Sequence, residues 1–208
     1  MRHSLFQLFF LLNLIGAAFL LPSHGIANDS ILIRAKEYYQ TGHYSEALTL
    51  FQKADGADLV PGVIGASRTL AMIGNYAEAE SICRNTLTEL PGEVQITCRL
   101  AEVLAETGRS DEAMRLLEPV VNGTDPALGC LVQYGKLLRM RGRRDEAVSL
   151  FERVVARYNN GLVSDSEDLA LTGVANWALE RFHDANRLFR EALRADPRNL
   201  AAQVLWGD

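Results

Sequence analysis

One pattern of small and large side chains recurs along this chain at nearly constant spacing, and that recurrence constrains the fold more than any other feature. Its first copy is Gly42-His43-Tyr44-Ser45-Glu46-Ala47-Leu48-Thr49-Leu50-Phe51-Gln52-Lys53-Ala54. A small turn residue is followed by an aromatic, a Glu-Ala pair, a large apolar residue four after that Ala, and a short side chain three further on. The skeleton returns, with gaps, at Gly74, Tyr76, Glu78, Ala79, Cys83 and Thr86. It returns again at Gly108, Glu112, Ala113, Leu117 and Val120, and at Gly142, Glu146, Ala147, Phe151 and Val154. The last full copy is Phe182, Asp184, Ala185, Phe189 and Ala192. The alanines at 47, 79, 113, 147 and 185 stand 32, 34, 34 and 38 residues apart. A period of about 34 residues with small side chains at fixed places marks stacked helix-turn-helix pairs, so an all-α solenoid is predicted.

Each part of the pattern has a physical task. The Gly lies between two helices, where a tight turn calls for φ > 0. The Ala lies where the second helix crosses the first, and a larger side chain would push the axes apart. The large residue four later is one turn along on the same face and fills the space beside the crossing. One such pair cannot bury its own apolar face, whereas neighbouring pairs bury one another's.

These residues resemble the tetratricopeptide repeat (TPR) family, and the resemblance covers nearly all of the chain after its first 27 residues. It implies a right-handed α-solenoid with repeats at about 28–59, 60–93, 94–127, 128–158 and 166–199, and a sixth begun at 200–208. Tyr134-Gly135 falls at the family's large-small pair in a first helix, Trp206-Gly207 falls at the same pair, and Pro91 and Pro197 fall at its loop proline. The chain departs from the pattern at Ser110 and Arg144 (no aromatic), at Glu180 (no turn Gly) and at Cys83 (no bulky residue). The resemblance implies protein or peptide binding in a concave groove lined by first helices. Carried over position by position, that groove takes Leu32, Lys36 and Tyr39, then Ile64, Arg68 and Met72, then Cys98, Glu102 and Glu106. Val132, Lys136, Arg139 and Met140 follow, then Val174 and Trp177. Tyr39 and Trp177 are candidate anchors, because aromatics dominate interface energetics; packing between helices is the other role open to Met72, Met140 and Trp177. Leu32 and Gly65 stand where two residues of the family's carboxylate clamp would be, which argues against a chaperone-tail ligand.

Residues 1–27 read as a secretory signal. Arg2 and His3 precede a run from Leu5 to Leu21 that is apolar except for Gln7, Asn13 and Gly16, and Gly25-Ile26-Ala27 offers small residues for cleavage between Ala27 and Asn28. An uncleaved anchor is the other reading, since the run is close to the length of a short span. The resulting location is periplasmic, or membrane-anchored if the leader stays. The net charge of −5 becomes −6 once residues 1–27, with Arg2 and no acid, are removed. An acidic balance argues against nucleic-acid binding and against anionic-membrane binding beyond the signal segment.

Helix caps are expected from Asn28 or Asp29, Ser45, Ser110, Asp125 followed by Pro126, and Asp165 or Ser166. Arg141 to Arg144 reads as a solvated basic corner at a helix C-terminus. Catalytic, cofactor and metal signatures are not found, and His43 and His183 lie in turns about four repeats apart, so no enzyme is expected within these residues. Cys83 takes a core position, while Cys98 and Cys130 sit in first helices of neighbouring repeats at frame positions two apart. That offset predicts poor geometry for a bridge, and free thiols are expected. The apolar Ala201, Val204 and Leu205 do not form the polar cap that ends a solenoid. Three functions are therefore carried forward. The first is an envelope scaffold binding another protein. The second is the N-terminal adaptor of a longer exported enzyme, such as a hydrolase or metallopeptidase. The third is a module that self-associates through its C-terminal end.

Overall fold

The computed structural model describes residues 24–163, 165–199 and 202–203, with side chains from residue 31 onward. Among the described residues it holds ten α-helices: α1 (His24–Gln40), α2 (Tyr44–Phe51), α3 (Leu59–Met72), α4 (Tyr76–Glu89), α5 (Val94–Glu106), α6 (Ser110–Val121), α7 (Leu128–Met140), α8 (Arg144–Asn159), α9 (Ser166–Ala178) and α10 (Phe182–Ala195). A short 3-10 turn at Gly56–Asp58 leads into α3. The helices pack as five antiparallel pairs into an α-solenoid.

The recurrent alanines explain the pairing. Ala47, Ala79, Ala113, Ala147 and Ala185 are all fully buried where second helix meets first. The five intra-pair turns share one geometry. Gly42, Gly74, Gly108 and Gly142 have φ between 76° and 81°, and Glu180 takes the same role at φ 63°. In each, the next residue donates its N–H to the carbonyl five back: His43 to Tyr38, Asn75 to Leu70, Arg109 to Leu104, Arg143 to Leu138 and Arg181 to Asn176, all at 2.8–3.0 Å. This is the Schellman closure, which satisfies carbonyls that the helix end leaves open.

A second regularity lies sixteen residues apart, between a small residue of each first helix and a larger one of its partner: Ala35 and Phe51, Ser67 and Cys83, Ala101 and Leu117, Gly135 and Phe151, Gly173 and Phe189. The sizes compensate. A Cβ on Gly135 would stand 2.7 Å from the Phe151 ring, and Gly173 is pressed as closely by Phe189. Where Cys83 replaces the ring, Ser67 replaces the Gly, and the thiol lies 3.5 Å from the Ser67 hydroxyl. Burial pushes the Cys83 thiol up, away from the reactive thiolate.

First helices also touch one another along the stack, α1 with α3, α3 with α5, α5 with α7 and α7 with α9. They therefore form the crowded inner layer. One apolar cluster runs continuously from Cys83 to Ala202, and a smaller one holds Ala35, Ala47, Phe51 and Ala66.

Several local expectations are corrected. α1 begins at His24, so Asn28 and Asp29 lie inside it rather than capping it. A single Gly25 lowers helix stability by only about 1 kcal/mol, which propagation absorbs. The proposed cleavage point Ala27–Asn28 falls within this helix, and residues 1–23 of the proposed leader lie outside the described residues. The partial repeat at 200–208 lies largely outside them too. Ser45 and Ser110 are helical residues preceded by His43 and Arg109, because the Schellman turn is so short that the residue after the αL position already occupies the N-cap. α7 starts two residues after Pro126, with Ala127 as N-cap, and Asp125 pairs instead with Arg157 at 2.8 Å. Asp165 does cap α9, accepting from the Asp168 N–H at 2.8 Å.

Cysteines 98 and 130 form a disulfide joining α5 to α7, with Cα atoms 5.2 Å apart. The expectation of free thiols fails for a geometric reason. The inner layer is heterologous: each first helix meets its predecessor with one face and its successor with another. Residues that touch across it therefore occupy different frame positions, and an offset of two is what brings these together.

Candidate functional site

The five first helices curve around a central chamber of about 630 Å³. Its wall takes Lys36 from α1, Ile64 and Arg68 from α3, Cys98, Arg99 and Glu102 from α5, Leu128 and Gly129 from α7, and Glu167, Asp168 and Leu171 from α9. Arg157 at the end of α8 and the segment holding Asp196, Arg198 and Asn199 complete it. A volume of this size falls in the range of about 300–1,000 Å³ that ligand sites occupy.

The wall is charged in both signs and largely paired. Arg99 is buried, donating from Nη1 to Glu102 at 2.8 Å, from Nε to the Ser67 hydroxyl at 2.9 Å and from Nη2 to the Ser67 carbonyl at 3.3 Å. Glu106 lies 3.7 Å away on the same helix. Arg68 meets Glu167 across the chamber at 3.5 Å. The Arg68 side chain keeps 38% exposure, and the partial desolvation of its cation in the chamber wall is outweighed by the carboxylates of Glu102 and Glu167, which hold its pKa above the ordinary value. Burial, and then the negative charge of Asp165, lift the Asp168 carboxyl above the usual carboxylate range. Lys36 makes no ion pair among the described residues.

The chamber closes on itself. Arg198, beyond α10, pairs with Glu37 of α1 at 3.3 Å, and the Gln40 amide donates to the Arg198 carbonyl at 3.1 Å. The first and last parts of the solenoid therefore meet, and the concave face of the first helices is bounded by this contact into a ring.

Of the residues expected in the groove, Lys36, Arg68 and Glu102 come together in the chamber, with Ile64 and Cys98. Tyr39 is half-buried against Tyr44, ring centroids 5.5 Å apart, and burial followed by the Tyr44 charge raises its hydroxyl pKa. Met72, Lys136, Arg139, Met140 and Trp177 are exposed and do not line the chamber. Trp177 stacks edge-on with Phe182 at 4.9 Å, and Arg139 donates to the Ala178 carbonyl at 3.0 Å. Val132 and Val174 are core. Sequence reasoning missed Arg99, Arg157, Arg198 and the acidic residues at the start of α9. Arg99 alone carried a signal, as a cation flanked by Cys98, Leu100 and Ala101 within a helix that is mostly apolar from Ile96 to Leu104. Among the described residues no group of three or more His, Cys, Asp or Glu could hold a metal ion, and no helix is long and apolar enough to cross a membrane.

Two family models, both described as tetratricopeptide repeat, match residues 70–127 and 128–168. Among solved structures, the thermophilic TPR protein TTC0263 of Thermus thermophilus is similar at 18% identity, covering 86% of this chain and 97% of its own, with a TM-score of 0.57. YrrB, described as a TPR protein with an unusual peptide-binding site, is similar at 18% identity over 86% of this chain and 91% of its own, with a TM-score of 0.43. MamA of AMB-1 is similar at 19% identity over 80% and 98%, with a TM-score of 0.47. The Thermus likeness is one of fold, and the other two superpose only loosely. No curated protein matches the sequence.

Proposed function

Because the chain is a member of the tetratricopeptide repeat family, we propose that it is an exported scaffold of the cell envelope that holds a segment of a partner protein in its central chamber. The observation that carries this reading is that all five first helices contribute to one charged cavity of about 630 Å³. Ile64 and Leu171 give it apolar ground, and Lys36 and Arg68 give it donors that a partner's carboxylates or carbonyls would accept from. The walls position and bind, and binding rather than catalysis is their task.

Export is supported by the leader-like run at Leu5 to Leu21 and by the Cys98–Cys130 disulfide, since such bonds persist in oxidising compartments. Two measurements test the proposal. The mass of the mature product should place its first residue at Asn28. A photo-crosslinking amino acid at Ile64 should capture a discrete partner in cells, and one at exposed Arg115 on α6 should not. Equal yields from the two positions would leave the chamber without a role.

A further inference from the structure

Among the described residues, the contacts that close the ring are polar. Arg198 reaches Glu37 and Gln40 of α1, and Arg68 reaches Glu167. The paired side chains keep 41% and 53% exposure at the first contact and 38% and 68% at the second. Among the described residues the apolar cluster around Ala35 and Phe51, on the α1 side, is separate from the one that holds Ala202, whereas the helices that carry Arg68 and Glu167 both contribute, through Ile64 and Leu171, to the second cluster. The segment that carries Arg198 belongs firmly to the far side. Asn199 donates to the Ser166 carbonyl and hydroxyl at 2.8 Å each, and its own Oδ1 accepts from the Ala202 N–H at 2.9 Å. Among the described residues the contacts between α1 and this segment are polar, so opening them there breaks ion-pair and hydrogen-bond contacts and no helix.

We propose that the Glu37/Gln40–Arg198 contact, braced by Arg68–Glu167, is a salt-labile latch that shuts the solenoid into a ring and must release before a partner segment lacking a free end can enter the chamber. Exposed ion pairs weaken with ionic strength, while the buried contacts between neighbouring helices do not. Small rotations at each repeat interface add up along a solenoid, so a modest loosening of each moves the two ends far apart. The role as a gate rests on the binding reading above, but the latch itself is a statement about shape.

Small-angle scattering of the purified chain tests it. At low salt the unmodified chain should scatter as a closed ring, and in 1 M salt its radius of gyration and maximum dimension should rise at unchanged helical circular dichroism. Arg198→Glu, which sets two carboxylates against each other, should show the expanded form already at low salt. The exchange Glu37→Arg with Arg198→Glu should restore the compact one. Should Arg198→Glu disturb folding, the salt series on the unmodified chain gives the same readout. The latch is overturned if dimensions do not change with salt, if Arg198→Glu superimposes on the unmodified chain, or if the exchange fails to recompact. A chain that latches as described but captures no partner at Ile64 would sink the binding reading and leave the latch standing.

Discussion

The α3–α4 pair and the α7–α8 pair fill the same slot between their helices in opposite ways. In α7–α8 the slot is apolar: Gly135 has no side chain, and the fully buried Phe151 ring presses against the backbone there. In α3–α4 the ring is replaced by Cys83 and the Gly by Ser67, and the guanidinium of Arg99 comes in from the next pair to donate to Ser67. The first solution is local, a knob and a hole within one pair. The second is relayed, because Arg99 also holds Glu102 in the chamber wall. A repeat that gives up part of its own packing can tie its core to the chamber wall of its neighbour.

The largest expected effects probe the apolar solution. Phe151→Ala should lower the unfolding free energy by about 3–5 kcal/mol, as removal of a buried ring does. Cys83→Ala, at the equivalent place, should lower it by only about 1 kcal/mol. Equal losses in urea titrations would erase the distinction. The Cys98–Cys130 bridge ties the α5–α6 pair, which lies between these two regions, to α7, and it closes a loop of 32 residues. Its reduction should destabilise the fold by about 3–4 kcal/mol on loop entropy. The urea midpoint with and without reductant measures this, and separate transitions for the two halves would then be resolved, since solenoid repeats couple only to neighbours.

The relayed solution should respond next. Arg99→Ala removes charged donors from Ser67 and from Glu102 and should destabilise by about 2–3 kcal/mol. Arg99→Met, which keeps the volume, should recover part of that loss; if it is as damaging as Ala, packing is not what Arg99 supplies. The smallest effect is a gain. Glu180 holds φ 63° where the other intra-pair turns have Gly. Glu180→Gly should therefore raise stability by about 0.5–1 kcal/mol, read as a small increase in melting temperature.

The parts legible in the sequence are those fixed by contacts within one pair. The alanines at the crossings and the turn glycines follow from side-chain size and backbone sterics, and each is visible in its own copy of the pattern. The chamber is not legible in that way. Its curvature is the sum of small rotations at four interfaces, and whether Arg198 reaches Glu37 depends on all of them. The register of Cys98 against Cys130 was hidden for a related reason, since equal frame positions do not face each other across a heterologous layer. Val132 and Val174 show a similar limit: their places in the repeat suggest a groove, but their side chains are buried in the apolar core between helices.

The disulfide has a mechanical consequence. It encloses most of α5, all of α6 and the start of α7, which amounts to one repeat length. If the chain is pulled from its ends, force passes through the sulfur atoms and bypasses that loop. About 110 Å of extensible chain is then kept slack, at roughly 3.4 Å for each residue. A protein that bears load between two anchored partners would thus lengthen in two stages, the second available only to a reductant.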